Sequence, residues 1–537
     1  MDRLSSRQDE AKTPKNKPVD LGAETSFTEL PTRIFLGNRP HYLVCGETGY
    51  QLLSTVCPHQ GGEVANVGSY FECSQHGWRF EHATGKGINN TGKLSSVPVT
   101  VREGHLFAEV SLPSVPAAPM AQRIKRLDQL TIHLRAHACL EIVYKGFSLL
   151  TDPWLCGPAF LGSWTQYPPP VVDVSTLRPD AIVITHEHSD HFHEPTLRKF
   201  QRRTPIYVPD FPNRRLVERL AVLGFLNVYP MTFGKMYEVS DNFKLTCFEP
   251  GSLWNDAIVL VEIDGLRLLN INDAGLNRRI ASLVAPVDVV ASQFSIGASG
   301  YPLTWTHLTE AEKVHIMKRA CQGMLQMLRE AMDLYKAKYL LPLASHFALW
   351  HPSHREYVSM MRTNTLDDVV RGFEGTGIHV IDLLPGESWD IAVERIARLG
   401  ICREHFYDLA YKLQYLERCF DIRVFEKHYP VSADLSPAGV EAYFLRLNET
   451  PEIAFCEDVT VRLRAIGGNC ETRVIDVSFT IEAGELRILK DSPCLPNLMI
   501  EIPYGILASI VSENISWDEA HIGYWCRFTR NQQTCHH

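Results

Sequence analysis

The sequence predicts a multidomain α+β protein with an all-β amino-terminal domain, a central layered domain and a carboxy-terminal α+β domain. At 537 residues and 60.8 kDa the chain is too long for one ordinary hydrophobic core. Short apolar runs alternate with glycine- and asparagine-containing turns from about Arg33 to Val110, which is typical of a small all-β domain. Beyond Leu130, apolar strands alternate with helical segments, which favours stacked layers of sheet and helix.

Composition and charge exclude some function classes. Hydrophobic residues make up 45% and charged residues 21% of the chain, as in soluble globular proteins. A net charge of −9 argues against a nucleic-acid partner. There is neither an apolar run of about 18 residues nor an amino-terminal signal core, so we expect no membrane partner and a cytoplasmic location. The 14 cysteines should then be reduced thiols or metal ligands.

A metal site is predicted at the end of one buried strand. The uncharged run 181–184 reads as a strand buried on both faces, and His186, His188, Asp190 and His191 follow within six positions. If the strand continues through His188, the first two histidines point to one side and the turn brings the other two residues to the same place. The alternative is a histidine-rich polar loop. The pattern alone does not choose between zinc and iron.

This HxHxDH pattern after an apolar strand resembles the metal-binding motif of the metallo-β-lactamase superfamily, whose fold is an αβ/βα sandwich. The resemblance implies a metal-bridging carboxylate at Asp273, which also ends a strand; the alternative is an aspartate capping a turn. We expect the last metal ligand at His346 or His351, and prefer His346 because it is nearer the strand end. Asp190, Asp273 and His346 are the predicted catalytic residues.

A second constellation lies in the amino-terminal domain. Cys57 and His59 are followed, after thirteen intervening residues, by Cys73 and His76, and two thiolates with two imidazoles could hold a structural zinc. The segments Cys57-Pro-His-Gln-Gly-Gly and Cys73-Ser-Gln-His-Gly-Trp also resemble the cluster-binding loops of Rieske [2Fe–2S] proteins, in which the thiolates hold one iron and the imidazoles the other. Gly61, Gly62 and Gly77 fit loops whose backbone must approach a cluster.

The predicted domain boundaries follow from these assignments. We expect a disordered tail over 1–30, a Rieske domain over 31–112, a Pro-rich linker over 113–128, a metallo-β-lactamase-like domain over 129–395 and a carboxy-terminal domain over 396–537. Thr309 and Glu312 form a capping box that opens a long helix running to about Lys338. The last domain is faintly similar to sterol-carrier-like lipid-binding domains, with an ordinary packing domain as the alternative.

Together the two metal sites indicate an oxygenase. A Rieske cluster passes electrons singly, and coupling it to a second metal suits iron that uses dioxygen. The combination resembles the cytidine monophosphate-N-acetylneuraminic acid hydroxylase family. The motifs that carry this resemblance are Cys57-Pro-His-Gln-Gly-Gly, His137-Ala-Cys139, Asp152-Pro-Trp-Leu-Cys-Gly-Pro-Ala-Phe160, Thr185-His-Glu-His-Ser-Asp-His191, Gly297-Ala-Ser-Gly-Tyr-Pro302, His351-Pro-Ser353 and Trp517-Asp-Glu.

The resemblance implies hydroxylation of the N-acetyl methyl group of a sugar nucleotide, with O2 and electrons from cytochrome b5 and its reductase. The chain departs from the family where Ser252 stands at the position of a histidine, so that Glu249 or Asp256 substitutes or one of two metal positions is empty. His346 is a further departure, because the family has no histidine there.

The resulting hypothesis is a Rieske-coupled oxygenase that inserts oxygen into a C–H or N–H bond of a small polar substrate, with one or two non-heme irons. A cytochrome b5 or a ferredoxin with its reductase would supply electrons. Asp152 is expected to orient a ligand histidine, and the Ser299-Gly-Tyr-Pro302 loop with Trp305 to form a substrate wall. The alternatives are an amine or amide oxygenase of natural-product biosynthesis, a dinuclear zinc hydrolase, and an electron carrier whose second domain has lost its metal.

Overall fold

Short strands separated by tight turns build the amino-terminal domain, as the sequence predicts. The computed structural model describes residues 16–36, 39–46, 49–58, 64–73, 77–111, 127–251, 255–297, 299–400, 402–428, 435–449, 458–467, 474–490, 496–513 and 515–531. The first nine strands are β1 Asn16–Ala23, β2 Thr32–Leu36, β3 Arg39–Gly46, β4 Gly49–Ser54, β5 Val64–Asn66, β6 Phe71–Cys73, β7 Arg79–Phe80, β8 Ser96–Arg102 and β9 His105–Ser111. They form a six-stranded sheet in the order β1-β9-β8-β4-β3-β2 and a three-stranded sheet, β5-β6-β7.

The expectation of a disordered tail over 1–30 is wrong from Asn16 onward. Strand β1 pairs antiparallel with β9 from Asn16, opposite Ser111, to Ala23, opposite His105. The polar residues that suggested a tail are compatible with an edge strand, which meets solvent on one side. Residues 1–15, and residues 113–126 of the predicted linker, lie outside the described residues.

Two sheets facing each other form the central domain. Its strands are β10 Thr131–Ala136, β11 Cys139–Tyr144, β12 Phe147–Thr151, β13 Trp164–Gln166, β14 Ala181–Val183, β15 Ile206–Pro209, β16 Val228–Met231, β17 Met236–Glu238, β18 Phe243–Phe248, β19 Ile258–Ile263, β20 Leu266–Asn272, β21 Val289–Gln293, β22 Tyr339–Leu343, β23 Phe347–Leu349, β24 His379–Val380, β25 Ser388–Asp390 and β26 Arg395–Ala397. One sheet has the order β16-β15-β14-β12-β11-β10-β25-β26 and the other β17-β18-β19-β20-β21-β22-β24, while β13 pairs with β23.

Helices cover the outer faces of these sheets. They are α1 Glu194–Leu197, α2 Arg215–Val222, α3 Ala281–Val284, α4 Glu310–Tyr335, α5 Arg355–Met360 and α6 Leu366–Phe373. The predicted capping box is present at the start of α4, where the Thr309 and Glu312 side chains bond each other's backbone. Helix α4 ends at Tyr335, and Lys336 adopts a left-handed conformation.

The hydrophobic core has two layers, which explains the predicted αβ/βα sandwich. Ile182 of one sheet and Val259 and Leu341 of the other belong to the cluster between the sheets. Leu269 faces the opposite way, toward a second cluster that includes Met324 of α4. Strands β14, β21 and β22 are buried at every position, which is why they read as continuous apolar runs rather than alternating ones.

The carboxy-terminal domain combines helices with a five-stranded sheet, so the predicted fold class is confirmed. Its helices are α7 Glu404–Tyr407, α8 Leu409–Cys419, α9 Ile422–His428, α10 Pro437–Leu445, α11 Tyr504–Glu513 and α12 Trp517–Ile522. Its strands are β27 Val459–Ile466, β28 Val474–Glu482, β29 Glu485–Leu489, β30 Leu498–Pro503 and β31 Arg527–Arg530, in the order β29-β28-β27-β30-β31. In the part of the chain that the structure describes, every helix is too short or too polar to cross a membrane.

Two buried indoles bind the carboxy-terminal domain to the central one. The Trp164 indole N–H donates to the carbonyl oxygen of Ile522 at 3.1 Å. In the reverse direction, the Trp525 indole N–H donates to the carbonyl oxygen of Phe160, also at 3.1 Å. Both rings are at most 5% exposed, so these bonds form away from water and fix helix α12 against the central domain.

The fold predicts a specific cost for removing one buried hydroxyl group. Tyr335 at the end of α4 is fully buried, and its hydroxyl donates to the carbonyl oxygen of Asn277 at 2.7 Å. Tyr335→Phe should lower the free energy of unfolding by about 1 kcal/mol, because the carbonyl loses its donor. Thermal unfolding checks this. Tyr229→Phe is the matched control, since the Tyr229 ring is 43% exposed; equal midpoints for the two variants would contradict the prediction.

Candidate metal centre

The HxHxDH segment forms a tight turn beyond β14. The strand ends at Val183, so the expectation that it continues through His188 is wrong. Instead the carbonyl oxygen of His188 accepts hydrogen bonds from the backbone N–H of His191 at 2.9 Å and of Phe192 at 2.8 Å. This turn folds Asp190 and His191 back toward His186, so the residues converge by a different geometry from the one predicted.

Two groups of three side chains have potential ligand atoms within 4.8 Å of one another. In the first, the Asp190 carboxylate lies 3.1 Å from the Nε2 atom of His137 and 3.3 Å from that of His191. In the second, the Asp273 carboxylate lies 3.7 Å from the Nε2 atom of His186 and 3.6 Å from that of His191. The two groups share His191, so they form one continuous cluster, which we call the metal cluster.

The metal cluster contains polar atoms that need a partner. In the described part of the chain, no hydrogen-bond partner is present for Nε2 of His186 and of His191, or for Oδ1 of Asp190 and of Asp273. Buried polar atoms without a partner cost free energy, and metal binding at these two groups would supply partners for them. Each group offers two imidazoles and one carboxylate, a donor set that suits non-heme iron. The residues therefore fit a metal ion.

Electrostatics support the same conclusion. Burial by itself lowers the pKa of His191, but the carboxylates of Asp190 and Asp273 raise it well above the usual value. Burial raises the pKa of Asp190, while the charges of His191 and His137 lower it well below the usual value. The cluster thus collects positive charge opposite its carboxylates, and a metal ion would take the place of those protons.

Neighbouring side chains fix the orientation of both inner imidazoles. Asp152 accepts hydrogen bonds from the backbone N–H of Thr185 at 2.8 Å and from the Asn272 amide at 2.6 Å, and lies 3.4 Å from Nδ1 of His191. Asp256, which is 5% exposed, lies 3.3 Å from Nδ1 of His186. With Nδ1 held from behind, each ring presents Nε2 to the metal cluster.

Left-handed backbone conformations occur where three strands reach the metal cluster. Asp152 follows β12 with φ 35°, Asn272 ends β20 with φ 55°, and Ala344 follows β22 with φ 51°. Such conformations are costly for residues other than glycine and concentrate at functional sites. Here they turn the chain sharply at the carboxyl ends of these strands, where the metal cluster lies.

The structure does not bring every predicted ligand into the two groups. The His188 ring packs edge-on against His186, with ring centroids 4.7 Å apart, but it belongs to neither group. His346 also lies outside both groups; it is 4% exposed, and its ring centroid lies 5.4 Å from that of Phe294.

The other candidate ligands lie elsewhere as well. His351 caps a short 3-10 helix, and its Nδ1 atom lies 2.7 Å from the Ser353 hydroxyl. Glu249 is exposed. Ser252, the predicted departure from the family, lies outside the described residues.

His137 is the member of the metal cluster that sequence reasoning missed. It lies in the turn between β10 and β11, and β11 pairs with β12, which ends beside Asp152. Its ring is enclosed by aromatic side chains, and its carbonyl oxygen accepts the backbone N–H of Ala344 at 2.8 Å. The His137-Ala-Cys139 motif is part of the family resemblance, but a lone histidine in a hairpin turn carries no ligand spacing, and its place in the metal cluster follows from the sheet order.

The carboxy-terminal domain reaches the metal-binding turn directly. Glu519 on α12 accepts hydrogen bonds from the backbone N–H and the hydroxyl of Ser189, at 3.0 and 2.7 Å. Ser189 also accepts the backbone N–H of Phe160 at 2.7 Å. Burial raises the pKa of Glu519 to about 7, against the opposing effect of its bond to Ser189. The turn that carries Asp190 and His191 is therefore held by residues far away in the sequence.

The predicted cluster cysteines lie together in the amino-terminal domain. Cys57 and Cys73 are at most 2% exposed and belong to one hydrophobic cluster. The backbone N–H of Gly77, a residue with φ 70°, donates to the Cys73 carbonyl oxygen. The predicted ligands His59 and His76, with Gly61 and Gly62, lie outside the described residues.

The cluster-binding domain packs against the central domain of the same chain. Val56 is 3% exposed and belongs to the core cluster of the central domain, and the neighbouring Thr55 hydroxyl accepts a hydrogen bond from the Gln326 amide at 3.0 Å. Burial and then the nearby charges of Glu72 and Cys73 raise the pKa of Tyr301 to about 12. The Ser299-Gly-Tyr-Pro302 loop, expected to be a substrate wall, therefore lies next to the cluster-binding loop.

Comparisons with known proteins agree with both domains. Residues 17–100 match the model of the Rieske [2Fe–2S] domain, and residues 148–326 match the β-lactamase superfamily domain. The chain is 26% identical to the cytidine monophosphate-N-acetylneuraminic acid hydroxylase of Xenopus laevis, over 90% of this chain and 85% of that protein. It is 30% identical to the Asterias rubens hydroxylase, over 59% of this chain and 51% of that one. The chain is a Rieske-coupled oxygenase.

Solved structures resemble the oxygenase more distantly. CmlA, a diiron β-hydroxylase from Streptomyces venezuelae, is 17% identical, with 66% of this chain and 70% of CmlA covered and a TM-score of 0.33. The metallo hydrolase Igni18 from Ignicoccus hospitalis is 14% identical, with 50% and 99% covered and a TM-score of 0.33. Similarity at this level carries no argument about the metal or the reaction.

The geometry distinguishes His137 from His346 as a metal ligand. His137→Ala should lower the affinity for iron at the metal cluster by about tenfold or more, because a ligand atom beside Asp190 is removed. The iron of the [2Fe–2S] cluster should be unaffected. His346→Ala should leave the iron at the metal cluster in place. Iron and acid-labile sulfide analysis of the two purified variants measures the difference, with circular dichroism as the control for folding. Iron loss in His346→Ala alone would contradict the assignment and favour the ligand predicted from sequence.

Proposed function

We propose that the oxygenase holds non-heme iron in the metal cluster and inserts one oxygen atom from O2 into a C–H or N–H bond of a small polar substrate. The proposed ligands are His137, His186, Asp190, His191 and Asp273. The predicted ligand His188 packs beside His186 but belongs to neither group, and His137 takes the place of His346. The observation that carries the proposal is the set of unpartnered imidazole and carboxylate atoms facing one another. Because one imidazole nitrogen has a single lone pair, His191 can serve only one metal ion at a time.

The residues around the metal cluster have distinct roles in this proposal. When bound, the [2Fe–2S] cluster supplies single electrons and the non-heme iron supplies O2 activation. Asp152 and Asp256 keep the imidazoles in the orientation that presents Nε2. Trp164 and Phe347 stack with ring centroids 3.6 Å apart beside His137. Their apolar surface limits the access of water, which protects reactive species from side reactions.

Electron transfer within one chain is the arrangement that the domain packing favours. Cys73 lies next to the Tyr301 loop of the central domain, and Val56 is buried in the same core cluster as Phe160. Phe160 in turn bonds Ser189 of the metal-binding turn. The two cofactor-binding loops are thus connected through packed side chains of a single chain, without a partner subunit.

A nucleotide sugar is the proposed substrate. The supporting observation is the similarity to relatives named for cytidine monophosphate-N-acetylneuraminic acid, over 90% of the chain. A cytochrome b5 or a ferredoxin with its reductase is the proposed electron donor. We place the protein in the cytoplasm, because the eight described cysteines other than Cys57 and Cys73 are free thiols.

A zinc hydrolase is disfavoured, because hydrolysis would leave the docked Rieske domain without a role.

Isotope labelling tests the proposal. The full-length protein, supplied with an electron donor, is incubated with cytidine monophosphate-N-acetylneuraminic acid under ¹⁸O2. We expect a product that contains one ¹⁸O atom, and no product from Cys73→Ser or His191→Ala. Label derived from water instead would contradict oxygenase chemistry. Labelled product from an amine or amide panel, but none from the nucleotide sugar, would refute only the substrate.

Mixing inactive variants tests transfer within one chain. Cys73→Ser lacks a cluster ligand and His191→Ala lacks a metal ligand, so each chain retains one intact centre. If electrons pass within a chain, the mixture should stay inactive, and the reduced cluster of His191→Ala should not be reoxidised faster when Cys73→Ser is added. Stopped-flow absorbance follows the cluster, and product formation follows turnover. Recovery of activity on mixing would show transfer between chains.

A further inference from the structure

A cavity of about 80 Å³, lined by none of the residues of the metal cluster, has His346 in its wall. It is bounded by the ends of β13 and β22, the segment before α6, and helices α7 and α8 of the carboxy-terminal domain. Phe294, Phe347 and Phe406 contribute apolar walls. At about 15 Å³ for each water, the volume holds about five water molecules or one small organic ligand.

Three polar groups line this cavity, and two of them are buried without a hydrogen-bond partner in the described part of the chain. The Tyr167 hydroxyl and the Nε2 atom of His346 are buried, and neither has a hydrogen-bond partner among the residues the structure describes. Both side chains are only 4% exposed. The Lys412 ammonium lies 5.1 Å from the centroid of the Tyr167 ring. Buried polar groups without partners are rare in folded proteins, so their grouping around one cavity indicates a ligand.

The charge of the cavity selects an anion. No aspartate or glutamate is among the described residues that line it, and burial rather than any charged neighbour lowers the pKa of Lys412. Burial, with the charges of His137 and Arg403, lowers the pKa of His346 to about 3, so its ring is neutral and can donate from Nε2. One cation and two hydrogen-bond donors match the acceptor oxygens of a carboxylate.

We propose that this cavity binds a small carboxylate, with the ammonium of Lys412, the hydroxyl of Tyr167 and the Nε2–H of His346 as its donors. The phenylalanine rings contact the short apolar part of the ligand. This site is distinct from the metal cluster, to which none of the three donors belongs, and it does not depend on the proposed function. The carboxylate belongs either to a free small acid or to the acid group of a larger substrate.

Acetate is the probe, and thermal unfolding of the full-length protein as purified is the readout. At fixed pH and ionic strength, acetate should raise the unfolding midpoint in a saturable way that chloride and acetamide do not reproduce. Lys412→Met should abolish the shift, and Tyr167→Phe should weaken acetate affinity by about tenfold, as expected for one lost bond to a charged ligand. Lys318→Met is the matched control, because Lys318 is exposed on α4, and should behave like the wild type.

Each outcome decides the proposal. No saturable shift in the wild type would overturn it, and so would a shift that survives Lys412→Met, since that acetate would be bound at the metal cluster or elsewhere. If Lys412→Met fails to fold, Tyr167→Phe alone decides: acetate affinity equal to the wild type would overturn the site. If cytidine monophosphate-N-acetylneuraminic acid displaces acetate, the ligand is the acid group of a substrate. If it does not displace acetate, the ligand is a free small acid. Both results support the site.

Discussion

A cluster of buried imidazoles and carboxylates that require a cation determines the rest of the structure. His137, His186, His191, Asp190 and Asp273 come from three separate segments: the turn after β10, the turn after β14 and the residue after β20. Buried charges of this kind are costly unless they are paired or ligated. The left-handed turns, the supporting carboxylates and the enclosing aromatic rings hold the ligand atoms close together. Without them, the unpaired polar atoms would move apart.

The carboxy-terminal and amino-terminal domains both contact the central domain close to the candidate sites. Glu519 holds Ser189 within the metal-binding turn, and Tyr301 lies beside Cys73 of the cluster-binding loop. The carboxy-terminal domain is therefore more than a packing module, since it supplies a side chain that positions the turn. Its helix α8 also contributes Lys412 to the proposed carboxylate site, which connects that domain to ligand binding as well as to metal binding.

Sequence patterns predicted those parts of the fold that depend on local spacing. The capping box at Thr309 is encoded within four residues, so local spacing was sufficient to predict it. The short motif from His186 to His191 likewise predicted a grouping of these side chains, although the turn that brings them together differs from the extended strand that was expected. His137 could not be found this way, because it joins the cluster only through the pairing of β10, β11 and β12. His346 follows a strand and is therefore the predicted ligand, but the backbone turns sharply at Ala344 and the His346 ring lines a separate cavity.

The most direct test of the account is metal and sulfide analysis of anaerobically purified protein, together with an electron paramagnetic resonance spectrum after reduction with dithionite. A protein that holds both centres should contain more iron than the two atoms of a [2Fe–2S] cluster. It should also give a Rieske-type rhombic signal that disappears in Cys73→Ser while the additional iron remains. Two zinc ions per chain and no cluster signal would contradict this expectation and indicate a metal-dependent hydrolase.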